Sequence, residues 1–295
     1  MSKKIKDFFL GFVFFLAHLL ILSLGYSYIR NITVNEEKIR YQYIAINEAN
    51  YISNVIDKVV VRTYTLREMI NENNGETDFF EKVAPVVIQS IKEDSGISVR
   101  NLLLAPNGIV SKIEPLKSNE NLMGFNYTDV SKAGNSEAVE ALTRSHSIIT
   151  NPFPLVQGGI GMAARTPVYM NTSEKTDYWG LVSVTMDFDD ILKSLNLDTF
   201  SKMHIDYCLW YSNNGEKIIL SSNCENIKDP VSEKVTLNNL TWNFDVCPSK
   251  GWLNENIEKL IHFASRNAMN IDGLGEMPAL PKEGAPWLIY KNQIT

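Results

Sequence analysis

The chain has little of the material from which most active sites are made. Three cysteines in 295 residues are too few for a disulfide scaffold, and they lack the spacing of a structural zinc site. The four histidines, His18, His146, His204 and His262, are scattered and form no His-Glu-x-x-His pair. No Gly-x-Ser-x-Gly elbow and no phosphate-binding loop occurs. Gly159-Ile-Gly161-Met-Ala-Ala164 imitates a shortened dinucleotide fingerprint, but Arg165-Thr-Pro167-Val-Tyr169 follows as strand where that motif needs a helix. Asp187, Asp189 and Asp190 are compatible with a metal or with the capping of a helix, and the following sequence favours the cap. With no convincing nucleophile, acid pair or metal set, neither catalysis nor a cofactor is expected. Basic charge is short as well: 28 Lys+Arg stand against 34 Asp+Glu, a net charge of −6, which argues against nucleic acid as a partner.

Apolar material is plentiful, at 44% of residues with 10% aromatic, so the chain can build real cores. Its charge is unevenly placed. Residues 1–30 hold Lys3, Lys4, Lys6 and Arg30 against Asp7, a balance of +3, which leaves −9 for the remainder. Between Asp7 and Arg30, the run Phe8 to Ile29 carries no charged side chain. As a helix it would be roughly 33 Å long, enough to cross a bilayer's hydrocarbon core. The preceding lysines predict a cytoplasmic N-terminus, with everything after about residue 30 outside. Tyr26 and Tyr28 sit where an outer aromatic belt would be, and His18 reads as a tolerated polar residue. A cleaved signal peptide is the competing reading, with Ser23 and Gly25 as small residues for cleavage. The length of the run and the helical pattern directly after it favour an uncleaved anchor.

From Glu36 to Ile70, Ile39, Tyr43, Ile46, Ala49, Ile52, Ile56, Val59, Leu66 and Ile70 recur at helical spacing, with no Pro or Gly before Gly75. This predicts a stalk helix over 31–75. Its stripe packs either on its own domain or on a second copy in a parallel homodimer. A turn at Asn71–Gly75 precedes a shorter amphipathic stretch, Asp78 to Lys92, with a break or kink at Pro85.

The character then changes. Leu102 to Val110 reads as strand, Asn107-Gly108 turn, strand. Asn135 caps a short helix from Ser136 to Arg144, with Glu137 and Arg144 suitably placed for the helix dipole. Ile148–Thr150, Gly161–Tyr169 and Trp179–Met186 follow as strands, and Asp187 opens a helix reaching Leu195. Cys208 to Ile219 repeats the strand, Asn-Gly turn, strand pattern, and Val235–Leu237 and Trp242–Val246 add two more strands. The pattern predicts an α+β chain with two related modules in series, at 76–200 and 201–252. Cys208, Cys224 and Cys247 all fall in the second, where disulfides can persist if it lies outside the cell. Three pairings are open. Among the pairs Cys208–Cys224, closing the hairpin around Asn213–Glu216, is preferred, and three unpaired buried thiols are the equal alternative. Asn-x-Ser/Thr sequons at Asn31, Asn126, Asn171 and Asn239 matter only in a eukaryotic secretory pathway.

Several blocks resemble the CHASE domain, the extracellular sensory domain of cyclases and histidine kinases. Asn101-Leu-Leu-Leu-Ala-Pro-Asn-Gly-Ile-Val with Asn121-Leu-Met-Gly124 resembles its opening. Ile149-Thr150-Asn151-Pro152-Phe153-Pro-Leu155-Val-Gln157-Gly-Gly159 and Arg165-Thr-Pro167-Val-Tyr169 resemble its central motif. Tyr178-Trp179-Gly180-Leu-Val-Ser-Val-Thr-Met-Asp187 resembles its closing strand and cap, and Trp242 with Pro248-Ser-Lys-Gly251-Trp252 the end of the ectodomain. The resemblance runs in order from Val34 to Trp252. It implies a stalk helix bearing two PAS-like modules, with a ligand pocket in the membrane-distal one. Asn126, Tyr127, Asn151, Phe153, Leu155, Gln157, Gly159, Met162, Arg165 and Tyr178 are the implied lining. Aromatic faces, amides and a guanidinium suit a small molecule, and Arg165 suits a carboxylate. Near the position where plant cytokinin receptors use an acid, this chain has Asn126 or Tyr127, which speaks against cytokinin-type recognition.

After Trp252 come an amphipathic helix, Leu253–Ala264, and a tail interrupted by Gly273, Gly275, Pro278, Pro281 and Pro286. The expected protein is a single-pass, membrane-anchored small-molecule sensor. It is read either as the sensory part of a truncated diguanylate cyclase or histidine kinase, or as a sensor working with a partner. An anchored scaffold without a ligand and an anchored hydrolase are the alternatives.

Overall fold

The computed structural model describes residues 3–129, 138–141, 146–155, 157–171 and 176–253. The chain divides into two units, Met1–Arg30 with Leu253–Thr295, and Asn31–Trp252. Helix α1 runs over Lys3–Glu72. In the first unit its residues Phe8 to Ile29 present their large apolar side chains outward, with Phe8 78% exposed and Ile21 65%. Among the described residues, α1 is the one helix long and apolar enough to cross a membrane. A surface of that kind is stable only in lipid or under cover.

The second unit is α+β. After α1 come α2 (Phe80–Ser95) and a six-stranded antiparallel sheet built from β1 (Val99–Pro106), β2 (Lys112–Glu114), β3 (Ile148–Ile149), β4 (Phe153–Pro154), β5 (Ile160–Asn171) and β6 (Thr176–Asp187). Its order is β2-β1-β6-β5-β3, with β4 also paired to β5. Two short helices, α3 (Phe188–Ser194) and α4 (Asp198–Lys202), lead to a four-stranded sheet in the order β8-β7-β10-β9. Its strands are β7 (Ile205–Asn213), β8 (Glu216–Ser222), β9 (Val231–Leu237) and β10 (Leu240–Pro248). Both expected Asn-Gly turns form with positive φ, at Asn107-Gly108 and Asn214-Gly215, which suits tight hairpins. Asp187 caps α3 by accepting from the Asp190 N–H at 3.1 Å. Of the expected helix at 136–144, residues 138–141 are helical; its cap Asn135, with Glu137 and Arg144, lies outside the described residues, as does the C-terminal helix after Leu253.

Two expectations about the helices are corrected. Pro85 does not break its helix: α2 is continuous through it. Pro85 sits early in the helix, so its missing N–H forgoes a single bond to the Glu81 carbonyl. The stalk stripe also divides. Ala45, Ala49, Ile52, Ile56, Val59, Leu66 and Ile70 are buried within the chain, and Thr63 fills the gap in this four-three spacing with a hydroxyl 2.5 Å from that of Thr166. Toward the N-terminal end of the stripe the buried seam continues through Tyr41, while Ile39 and Tyr43 stay exposed. A seam of period 3.5 drifts around a helix of period 3.6, so one straight stripe cannot serve both ends.

This helix face lies in one continuous core with the inner faces of both sheets, including Leu102, Leu104, Val182 and Val184 of the first and Leu209, Trp242 and Phe244 of the second. The thiols of Cys208, Cys224 and Cys247 are all free, so the expected Cys208–Cys224 bond is not formed. Cys208 is buried in β7, and the Cys224 sulfur is engaged with polar groups instead, 3.7 Å from Ser222 Oγ and 3.9 Å from the Tyr207 carbonyl.

Candidate functional site

Alternation along the strands places two different chemistries on the two faces of the six-stranded sheet. Leu102, Leu104, Val182, Val184, Met186, Met162 and Ala164 face the core against the helices. The intervening residues face a second, smaller cluster that includes Leu103, Ala105, Leu122, Tyr127, Ile148 and Leu181. On that second face the register lines up Leu103, Ser183, Arg165 and Ile148 across four strands. The adjacent row is Asn101, Thr185 and Ala163. Asn101, Ser183, Thr185 and Arg165 are all buried, although a purely structural sheet face would carry apolar residues there.

Arg165 is the centre of this face. It is 3% exposed, and its guanidinium carbon lies 5.1 Å from the ring centre of Tyr127 and 5.7 Å from that of Phe153. Aromatic faces stabilise a cation that has left water, and they leave the edges of the guanidinium plane for hydrogen bonds. Burial pushes the Tyr127 hydroxyl above its ordinary range, while the charge of Arg165 and polar contacts to Ser183 and Arg165 pull the other way. Tyr127 therefore stays a neutral donor. Phe125 stacks edge-on against it at 5.1 Å.

A chain of amides closes one end. Gln157 Nε2 donates to Asn119 Oδ1 at 2.7 Å, and Asn101 Nδ2 donates to the same oxygen at 3.2 Å. Asn119 Nδ2 donates to the carbonyls of Arg100 and Pro115 at 3.1 and 2.8 Å. Leu155 fills the space above Gly161, where an added methyl would come within 2.7 Å of it. Beside the Gly158-Gly159 turn, Arg100 pairs with Asp187, donating from Nε at 2.7 Å.

The residues named from the sequence therefore separate. Tyr127, Phe153 and Arg165 come together, with Gln157, Leu155 and Gly159 at one end. Met162 is fully buried on the opposite face, in the core against the helices. Asn126 is turned to its own loop, accepting from the N–H and hydroxyl of Thr128 at 2.8 and 2.7 Å. Asn151 accepts from Trp242 Nε1 at 3.1 Å, a contact to the second sheet. Tyr178 stacks edge-on with Tyr169 at 5.7 Å toward the end of the β5–β6 hairpin, about 13 Å along the strand from Arg165. Its hydroxyl is pushed up by burial and then by Tyr169.

Sequence reading missed Asn101, Asn119, Ser183 and Thr185. The signal was present: Ser183 and Thr185 alternate with Val182, Val184 and Met186 in a strand that is buried on both faces. Among the described residues, no group of three or more His, Cys, Asp or Glu is placed to hold a metal ion.

Residues 81–219 match the family model of the CHASE domain, slightly under half of the chain. No curated protein matches it. Among solved structures, the ligand-binding domain of the Pseudomonas aeruginosa amino acid chemoreceptor PctC, in complex with GABA, is similar with a TM-score of 0.51 at 16% identity. That alignment covers 71% of this chain and 98% of the other. An extracellular ligand binding receptor from Desulfohalobium retbaense is similar with a TM-score of 0.51 at 10% identity, over 70% of this chain and 40% of the receptor. The chain thus spans well under half of that receptor's length. At these identities the likeness is one of fold, and that fold is the α+β, PAS-like architecture of sensory domains. The family match is confined to residues 81–219, and the likeness in fold is to ligand-binding domains of receptors.

Proposed function

We propose that the chain is a membrane-anchored sensor that binds a small carboxylate-bearing molecule on the second face of its six-stranded sheet. The observation that carries this reading is the buried Arg165 guanidinium held between Tyr127 and Phe153. An arginine edge and a carboxylate match in shape and charge, two N–H groups against two oxygens. Tyr127 and Ser183 supply hydroxyls beside it, and Gln157 and Leu155 bound the space. In this reading Phe8–Ile29 is the anchor, the N-terminus is cytoplasmic, and the sheets lie outside. The module of the first sheet is distal to the membrane and that of the second proximal. Exposed Ile32, Ile39 and Tyr43 favour a second copy against the first part of the stalk. Ligand occupancy would reach a cyclase or histidine kinase as a shift of paired stalk helices.

The test is thermal unfolding of the full chain in detergent micelles against a panel of small carboxylates. At least one should raise Tm in a concentration-dependent way, and Arg165→Gln should abolish the shift. A panel without any stabilising carboxylate, or an Arg165→Gln protein that responds like the parent, would overturn the reading.

A further inference from the structure

From Ala45 to Ile70 the buried seam of α1 is apolar except at Thr63, and Thr63, Thr166 and Ser147 are all fully buried. Their hydroxyls form one chain. Thr63 Oγ1 lies 2.6 Å from the Val60 carbonyl and 2.5 Å from Thr166 Oγ1, which in turn contacts Ser147 Oγ. A carbonyl only accepts, so the single Thr63 proton goes to Val60. Thr166 must then donate to Thr63, and Ser147 to Thr166. In this one direction every hydroxyl proton is used. The backbone of Ser147 is held as well, because its carbonyl accepts from Asn238. Three elements far apart in sequence therefore meet here: α1, β5 and the turn between β9 and β10.

Elsewhere along the seam, isoleucine, valine and leucine pack without direction, and such contacts discriminate poorly between axial positions. Sliding α1 by one turn would set Val59 or Leu66 opposite Thr166. The Thr166 proton would then lose its acceptor and stand buried without a partner. A single polar residue in an apolar helix seam fixes register in coiled coils by the same means. The course of α1 suits this role. Tyr51 donates to the Ser194 carbonyl beyond one end of the first sheet, and Trp179 donates to the Gly75 carbonyl toward the other, so α1 runs along the strands. We infer that the Ser147–Thr166–Thr63 chain is a register lock. It sets the axial position of α1 on the first sheet and ties that position to the second sheet through Asn238. It makes β5 the strand whose movement α1 follows, whatever binds the sheet.

The experiment compares the full chain in micelles with Thr63→Val, Thr166→Val and the triple variant Thr63→Val/Thr166→Val/Ser147→Ala. Each single valine strands a buried hydroxyl and should lower Tm by about 3–8 °C. The triple variant replaces the whole chain by apolar groups of similar shape and should return to within about 2 °C of the parent. Axial position is read from spin-label distances by pulsed electron resonance in a Cys224→Ser background. Val61→Cys on α1 is paired with Ile160→Cys or with Ile109→Cys, exposed sites at opposite ends of the first sheet. The parent should give one distance for each pair. The triple variant should show positions displaced by about 5 Å, one helical turn, with one distance lengthened and the other shortened. Single variants with parental Tm overturn the lock, because the hydroxyls then hold nothing. A triple variant that keeps both parental distances overturns it too, and leaves the register to the end contacts of Tyr51 and Trp179. The triple variant strands no hydroxyl, so its distances are readable even where a single variant fails to fold.

Discussion

Asn239 holds the backbone of Ile149 with both ends of its side-chain amide: Oδ1 accepts from the Ile149 N–H at 2.6 Å, and Nδ2 donates to the Ile149 carbonyl at 3.0 Å. The turn between β9 and β10 thereby substitutes for a strand partner along β3. Asn238 donates to the Ser147 carbonyl beside it, and Trp242 donates to Asn151. Ile148, between these anchor points, stands in register with Arg165. The two sheets are thus joined at the edge of the row that carries the candidate site.

Asn239→Ala should destabilise the fold by about 1–3 kcal/mol, because two buried backbone groups lose their partners. Denaturant unfolding measures the loss, and hydrogen exchange should show it concentrated at the Ile149 amide. Asn239→Ala with unchanged stability would mean that the joint is not needed. The same geometry bears on the sequon at Asn239, since its nitrogen is occupied in the fold.

Gly180 lies against β1, and a methyl added to it would sit 2.4 Å from the Ala105 carbonyl oxygen. Backbone cannot yield as a side-chain tip can. Gly180→Ala should therefore cost about 2–4 kcal/mol, measured by thermal unfolding. A variant with parental Tm would show that β1 and β6 can separate freely.

Glu48 on α1 is largely buried, and burial pushes its carboxyl from 4.5 up to about 7, with Oε1 lacking a hydrogen-bond partner among the described residues. The folded state thus binds this proton more tightly than the unfolded chain. Its contribution is fully present below about pH 4.5 and is lost as pH rises through about 7. Allowing for screening at the partly exposed helix surface, the loss should be on the order of 1–2 kcal/mol. Glu48→Gln should flatten that part of the stability–pH profile and stabilise the protein at pH 8.

Burial raises the Cys208 thiol, and raises that of Cys247 to about 11, while Cys224 is only half buried. In the reduced, folded protein one thiol should react readily with a disulfide reagent at pH 8, and two only on unfolding. Cys224→Ser should remove the fast reaction. Three equally fast thiols would contradict the burial of β7 and β10.

Local patterning made much of the architecture legible. The uncharged run Phe8–Ile29, the Asn-Gly turns, the strand runs of β1 and β6 and the Asp187 cap act over a few residues, and each appears where its pattern placed it. The site was legible in part. Arg165, Tyr127 and Phe153 belong to the lining that the CHASE resemblance implies, and the structure brings these three together. Met162 and Asn151 could not be sorted, because which face a strand residue takes, and what lies across from it, depends on partners far along the chain.

The sequence by itself determined that a long helix with an apolar first part precedes two sets of antiparallel strands, since periodicity and turn chemistry are local properties. Tertiary structure alone decided which half of the stalk stripe was buried, that Asn239 would serve β3 across 90 residues, and that the Thr63 hydroxyl would meet that of Thr166. Those outcomes depend on strand register and side-chain hydrogen bonds between distant segments, which no short window of residues contains.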